Sequence, residues 1–255
     1  MNYLLVVQVF VRTPSWGLVD HFCVEINNSA FICAKQQNDP PQIHHRPRAG
    51  RRTCRLRGRC ESLPEPCAQQ ARQQASEQSE RLVRMHSPVI GPREAPVTIV
   101  EFFDPACETC RAFYPVVKDL MKQYPTRVRL VIRYAPFHQG SGEVVKLLES
   151  ARRQDKYLLV LESLLAAQPQ WADHGSPNLA LAYSAAEQAG LDMARARADM
   201  ASPTLEAMLQ QDVQDLTALK VDKTPTFFVN GRPLPSFGAK QLAELVAQEV
   251  SKAGK

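Results

Sequence analysis

Between Ala95 and Val250 the apolar positions fall into runs whose spacing alternates between the period of a strand and that of a helix. Val97 to Phe103 (VTIVEFF) is a nearly continuous apolar and β-branched run, which predicts a strand covered on both faces. After an Asp104-Pro105 turn, apolar residues stand at Phe113, Val116, Val117, Leu120, Met121 and Tyr124, the i, i+3, i+4, i+7 spacing of an amphipathic helix. Val128, Leu130, Ile132 and Tyr134 then alternate with Arg129, Val131 and Arg133, giving a second strand with one more polar face. Strand, helix, strand is the order of a right-handed crossover.

Only helical signals follow across 139–221: Val144 to Arg153, Lys156 to Ala167, Leu179 to Ala189 ended by Gly190, and Leu205 to Leu219. Thr226 to Val229, Asn230-Gly231 and Arg232 to Leu234 then form a strong hairpin signal with a two-residue turn. A last helix places Leu242, Leu245, Val246 and Val250 on one face.

The first third reads differently. From Gln36 to Arg84 the chain is rich in Arg, Gln, Pro and Ser and offers few large apolar residues to bury, so it reads as disordered or linker with a helix from Ala68 toward Val83. Leu4 to Val11 has the length of a signal-peptide core, yet no Lys or Arg precedes it and no small-x-small site follows closely. Coherent patterning begins abruptly at His86. Residues 1–85 are therefore expected to be a disordered N-terminal segment or a mis-assigned leader, and 86–255 the folded domain.

Charge sharpens that division. Met1 to Met85 carries 12 Lys and Arg against 7 Asp and Glu, whereas His86 to Lys255 carries 19 against 19, so the net +5 lies wholly in the first third. A neutral domain argues against nucleic acid or an anionic membrane as its partner.

The seven cysteines divide likewise: Cys23, Cys33, Cys54, Cys60 and Cys67 come first, and only Cys107 and Cys110 lie beyond. With a single close pair, the domain is redox-active or metal-binding rather than built on disulfides. Cys54, Cys60 and Cys67, with His44 and His45 upstream, match no common zinc spacing.

Cys107-Glu108-Thr109-Cys110 follows the first strand and opens the first helix of the domain. Zinc ligation, structural pairing and dithiol redox chemistry compete for it. Zinc needs two further ligands, and the domain offers only scattered His138, His174 and carboxylates. At a helix N-terminus, open backbone N–H groups and the dipole favour an anion, so Cys107 ionises more readily than a free thiol. Cys110, one turn in, is placed to attack a mixed disulfide formed at Cys107.

The run APVTIVEFFDPACETC, with a Thr-Pro ahead of a later strand, resembles the DsbA-like branch of the thioredoxin superfamily over about His86 to Val250. The resemblance implies an α/β thioredoxin-like fold with an inserted helical subdomain at about 139–221. It implies Cys107 as exposed nucleophile, Cys110 as buried resolving thiol, and Thr224-Pro225 as a cis-proline loop that lies against the pair and aligns substrate backbone. Glu101, whose strand face also carries Ile99 and Phe103, falls at the position of a buried acid that assists proton transfer at the resolving cysteine; the other reading is a strand-end carboxylate in water. Pro115 stands where the family kinks its active-site helix. His138 either approaches the site or caps a loop, and Trp171 with the insertion leucines forms a small core of the insertion.

The activity so implied is formation or exchange of disulfides in protein substrates, with no added cofactor or metal, a membrane redox partner and a periplasmic location. Three other readings stay open: a reductase or isomerase on the same fold, a thiol binding module without turnover, and a cytoplasmic enzyme, since no export signal is legible. Glu108-Thr109 replaces the Pro-His of the strong oxidant of the family. A carboxylate beside the thiolate disfavours the charged form, so a weaker oxidant is expected.

Overall fold

The structure, a computed structural model, describes residues 21–26, 30–35, 65–173 and 175–254. The apolar run Leu4 to Val11, the Arg-rich stretch with His44, His45, Cys54 and Cys60, and His174 lie outside the described residues, as does the side chain of Cys67. The chain divides into two units, 1–60 and 61–255. In the first, β1 (His21–Ile26) pairs antiparallel with β2 (Ala30–Lys35) in a register running from His21 opposite Lys35 to Ile26 opposite Ala30. The apolar-rich runs HFCVEI and AFICAK flank Asn27-Asn28-Ser29, a hairpin signal the sequence reading passed over.

In the second unit, α1 (Glu65–Leu82) covers the expected helix and begins three residues earlier. Then follow β3 (Val89–Ile90), β4 (Val97–Phe103), α2 (Glu108–Gln123), β5 (Val128–Tyr134), α3 (Ser141–Arg152), α4 (Tyr157–Trp171), α5 (Leu179–Gln188), α6 (Met193–Met200), α7 (Pro203–Ala218), β6 (Thr226–Val229), β7 (Arg232–Pro233) and α8 (Ala239–Ala253). The sheet order is β3-β5-β4-β6-β7, with β4 and β5 parallel and the other pairs antiparallel. This is a thioredoxin-like sheet, with the helical insertion α3 to α7 between β5 and β6.

Alternation along β4 explains why both faces are apolar. Val97, Ile99 and Phe103 enter one core with residues of α2, α8 and the insertion, while Val100 and Phe102 enter a second with Leu82, Leu216, Val221 and Phe228. Leu82 is only 2% exposed, so packing begins N-terminal of His86, the expected start of the domain. Trp171 and most insertion leucines, among them Leu147, Leu161 and Leu164, belong to the same core as Cys110 and Val97, which replaces the expected separate core of the insertion.

The more polar face of β5 is buried at Arg133. Arg133 is fully buried and its Nη2 donates to Asp212 Oδ1 and Asp215 Oδ2 of α7, both at 2.8 Å. Arg84 adds two bonds of 2.7 Å to Asp215, and His86 Nε2 lies 2.7 Å from Asp212 Oδ1. Burial pushes the Asp215 carboxyl up, but hydrogen bonds from Arg84 and Arg133 outweigh it and hold the group below the usual carboxylate range. Charges at this depth persist only when paired, which is why an arginine could occupy a core position of the strand.

The insertion holds five helices, not the four expected. The extra one, α6 (MARARADM), has no apolar periodicity and is started instead by Asp192, whose Oδ1 accepts from Ala194 N at 2.9 Å and Arg195 N at 3.0 Å. Asp192→Ala should cost about 1 kcal/mol, read in a denaturant melt as a lowered midpoint at unchanged slope.

Candidate active site

The site is built where β4 ends. Asp104, fully buried, gathers the chain on both sides of the sheet's C-terminal edge: Oδ1 accepts from Ala106 N at 2.9 Å and from Ser141 Oγ, and Oδ2 from Phe137 N at 2.8 Å and His138 N at 3.0 Å. His138 Nδ1 also lies 2.7 Å from Asp104 Oδ2, so this histidine stabilises the loop that opens the insertion. Of the two roles open to His138 in the sequence, the structure shows the loop contact. Asp104 itself was read only as a turn residue; the signal for more was an acid directly before proline at a strand end, where several backbone donors need an acceptor.

This turn delivers Cys107 to the N-cap of α2, with extended backbone at φ −77° and ψ 119°. Both thiols are free. Cys107 retains 6% of its surface and Cys110 none, so the expected order of exposure holds, although Cys107 is far more covered than an exposed nucleophile. The cover comes from the loop before β6. The Thr224–Pro225 bond is cis, and the Cys107 thiol donates to the Thr224 carbonyl at 3.4 Å. The structure therefore brings Cys107, Cys110 and the Thr224–Pro225 loop together.

The two cysteines differ sharply in acidity. A hydrogen bond from Cys110 is the main influence on Cys107, opposed by burial and supported by the Thr224 side chain and the backbone N–H groups of Cys110 and Thr109; together they bring it down to about 5. These N–H groups belong to the open first turn of α2. Burial drives the Cys110 thiol strongly up, and its hydrogen bond to Cys107 and the negative charges of Glu101 and Cys107 add to that.

Glu101 lies on the central strand, opposite Ile132 on one side and Phe227 on the other, and is 3% exposed. Burial pushes its carboxyl up to about 8, with the charge of Cys107 contributing. It is a desolvated acid near the pair rather than a strand-end carboxylate in water. Pro115 sits inside α2, which continues through it to Gln123. Among the described residues no three of His, Cys, Asp and Glu cluster as metal ligands.

Because Thr224 is one of the groups that lower Cys107, Thr224→Val should raise the thiol's pKa above about 5. The rise should be smaller than for Cys110→Ala, which removes the largest influence. Thiolate absorbance followed against pH checks both, and coincident curves for wild type and Thr224→Val would contradict the assignment.

A dithiol at the N-terminus of a helix that follows the central strand of such a sheet defines a class, and the chain belongs to the thioredoxin family, whose model matches residues 84–248. Its helical insertion between β5 and β6 gives it a DsbA-like form of the thioredoxin fold, and thiol:disulfide oxidoreductases stand among the proteins it is similar to. A thioredoxin-like oxidoreductase from Silicibacter pomeroyi is 30% identical and superposes with a TM-score of 0.58, covering 69% of this chain and 96% of that one. The thiol:disulfide interchange protein DsbA of Bordetella parapertussis is 26% identical over 163 residues, 62% of this chain and 75% of that protein. The Na(+)/H(+) antiporter NhaA 3 of Salinispora tropica is 38% identical over 147 residues, which are 56% of this chain and 22% of the antiporter. The chain thus spans about a fifth of that relative's length. Among the described residues no helix is long and apolar enough to cross a membrane.

Proposed function

We propose that the chain forms and exchanges disulfides in protein substrates through Cys107 and Cys110. The observation that carries this reading is the placement of the pair: Cys107 at the N-cap of α2 against the Thr224 carbonyl, with Cys110 wholly buried one turn below; the lowered pKa of Cys107 and the raised one of Cys110 agree with it. With the pair oxidised, a substrate thiolate attacks Cys107 Sγ, the Cys107–Cys110 bond breaks, and Cys110 leaves and takes up a proton. A second substrate thiolate then attacks the substrate sulfur of the mixed disulfide and releases Cys107 as thiolate. Two electrons pass from the substrate dithiol to the pair, with no cofactor. Glu101 supplies the proton to Cys110, and receives it when the reaction runs backward; a carboxyl near pKa 8 can do either at neutral pH. Thr224 and Pro225 align the substrate backbone over Cys107.

A polypeptide fits the surroundings. Phe113, one turn after Cys110, packs tilted against Phe237 with 4.6 Å between ring centroids, and Phe237 is 49% exposed; apolar surface left in water suits an unfolded chain. The Cys107 value falls between about 7 for thioredoxin and about 3.5 for DsbA. That supports an oxidant weaker than DsbA; a periplasmic location and a membrane redox partner belong to the same proposal only through the likeness to DsbA. The test is turnover in both directions: oxidative refolding of a reduced disulfide protein should be accelerated more than reduction of insulin. The reverse ranking would favour the reductase, and no acceleration of either would favour a binding module.

A further inference from the structure

The insertion reaches the active-site turn through one buried side chain. Gln168, near the end of α4, is 1% exposed, and its Nε2 donates to the carbonyls of Pro105 at 2.8 Å and Cys107 at 3.0 Å. The opposite orientation of the carboxamide would set Oε1 against two carbonyl oxygens, so the donor side must face the turn. Both amide hydrogens are used there. Oε1 is left buried with no hydrogen-bond partner in the protein, a cost that stability alone does not explain. The helix around Gln168 is shaped for this reach. Pro169 removes the next backbone donor, and the Trp171 indole, fully buried, donates to Leu164 O at 2.9 Å.

We propose that Gln168 is a positioning residue: from the insertion it clamps both ends of the Pro105–Cys107 turn and so fixes the Cys107 sulfur over the first turn of α2 and against Thr224. The clamp acts on the carbonyl of Cys107 itself, which also accepts from Arg111 N at 3.1 Å as the first turn of α2 closes. A rotation of the turn would carry Sγ away from the backbone N–H groups of Thr109 and Cys110 and from Thr224, the groups that stabilise its anion. The insertion is thereby part of the machinery that sets the nucleophile. This inference rests on Cys107 being the reactive thiol.

The test compares Gln168→Met, which keeps length and apolar packing but removes both donors, with Gln168→Glu, which keeps the shape and opposes the carbonyls with oxygen. In the full chain, the rate of alkylation at Cys107 is followed against pH by mass spectrometry of its peptide, beside a thermal melt. Both variants should move the midpoint of the rate profile up by about one pH unit, a tenfold loss of thiolate below it, with Glu moving it further. A lowered melting temperature with an unmoved profile would show a merely structural role and overturn the proposal. Should neither variant fold, the wild type decides. The side-chain amide protons of Gln168 should exchange with solvent far more slowly than those of exposed Gln170, and equal rates would overturn the proposal. Failure of the functional reading looks different, since the wild-type Cys107 would then show an ordinary thiol profile.

Discussion

Cys110→Ser should turn the protein into a trap: mixed disulfides between Cys107 and substrate chains accumulate and persist, while turnover disappears. The resolving sulfur lies at the end of the first turn of α2, wholly buried, and between His86 and Lys255 the sequence offers no third cysteine to replace it. Cys107→Ser should abolish both turnover and trapping, because the remaining Cys110 thiol is held neutral by burial and has no exposed surface. Only the thiolate is an effective nucleophile. The two variants are best separated by nonreducing electrophoresis after acid quenching. High-mass adducts linked through the 107–110 peptide should appear with Cys110→Ser and not with Cys107→Ser; adducts through that peptide from both, or from neither, would contradict the assigned roles.

Glu101→Gln should have opposite effects on stability and on rate. The native carboxyl titrates at about 8, above its ordinary value near 4.5, so the folded reduced protein binds its proton more tightly than the unfolded chain. Stability associated with that proton is fully present below about pH 4.5 and is lost as pH rises through about 8. At about 1.4 kcal/mol per pH unit, the loss across this window is about 3 to 5 kcal/mol. Cys107 contributes the opposite trend, because its folded pKa is depressed; the informative quantity is therefore the difference between wild type and variant. Glu101→Gln should become relatively more stable as pH rises from 5 to 8, and the difference should shrink when the pair is oxidised and the Cys107 charge is gone. Exchange should slow by about a hundredfold, the lower range for losing a positioned proton donor and acceptor. A variant with constant relative stability and unimpaired exchange would show Glu101 to be an ordinary core residue.

How much of this was legible depends on where the information lies along the chain. β4, α2, β5, the β6–β7 hairpin and α8 each carry their own period or turn signal, and all appear within a few residues of their expected bounds. β3 is two residues long and is defined by its pairing with β5, so no local pattern could announce it. The more polar face of β5 was legible but not its reason: the partners of Arg133, Asp212 and Asp215, lie on α7, some eighty residues later in sequence. The chemistry-bearing pair was legible because a helix N-cap and a one-turn spacing are local features. Gln168 was not, since its partners Pro105 and Cys107 lie 63 and 61 residues away and glutamine in a helix carries no spacing signal. Glu101 was intermediate: its alternation with Ile99 and Phe103 marked it as inward-facing, while the strength of its desolvation required both neighbouring strands.

The most direct test of the central claim is an equilibrium titration of the Cys107–Cys110 pair in glutathione buffers, read by mass spectrometry of the peptide that carries both. The account predicts one concerted two-electron transition, at a potential between about −270 mV and about −120 mV, the values of thioredoxin and DsbA. Two thiols that titrate independently, or a pair that never oxidises across the buffer range, would contradict it.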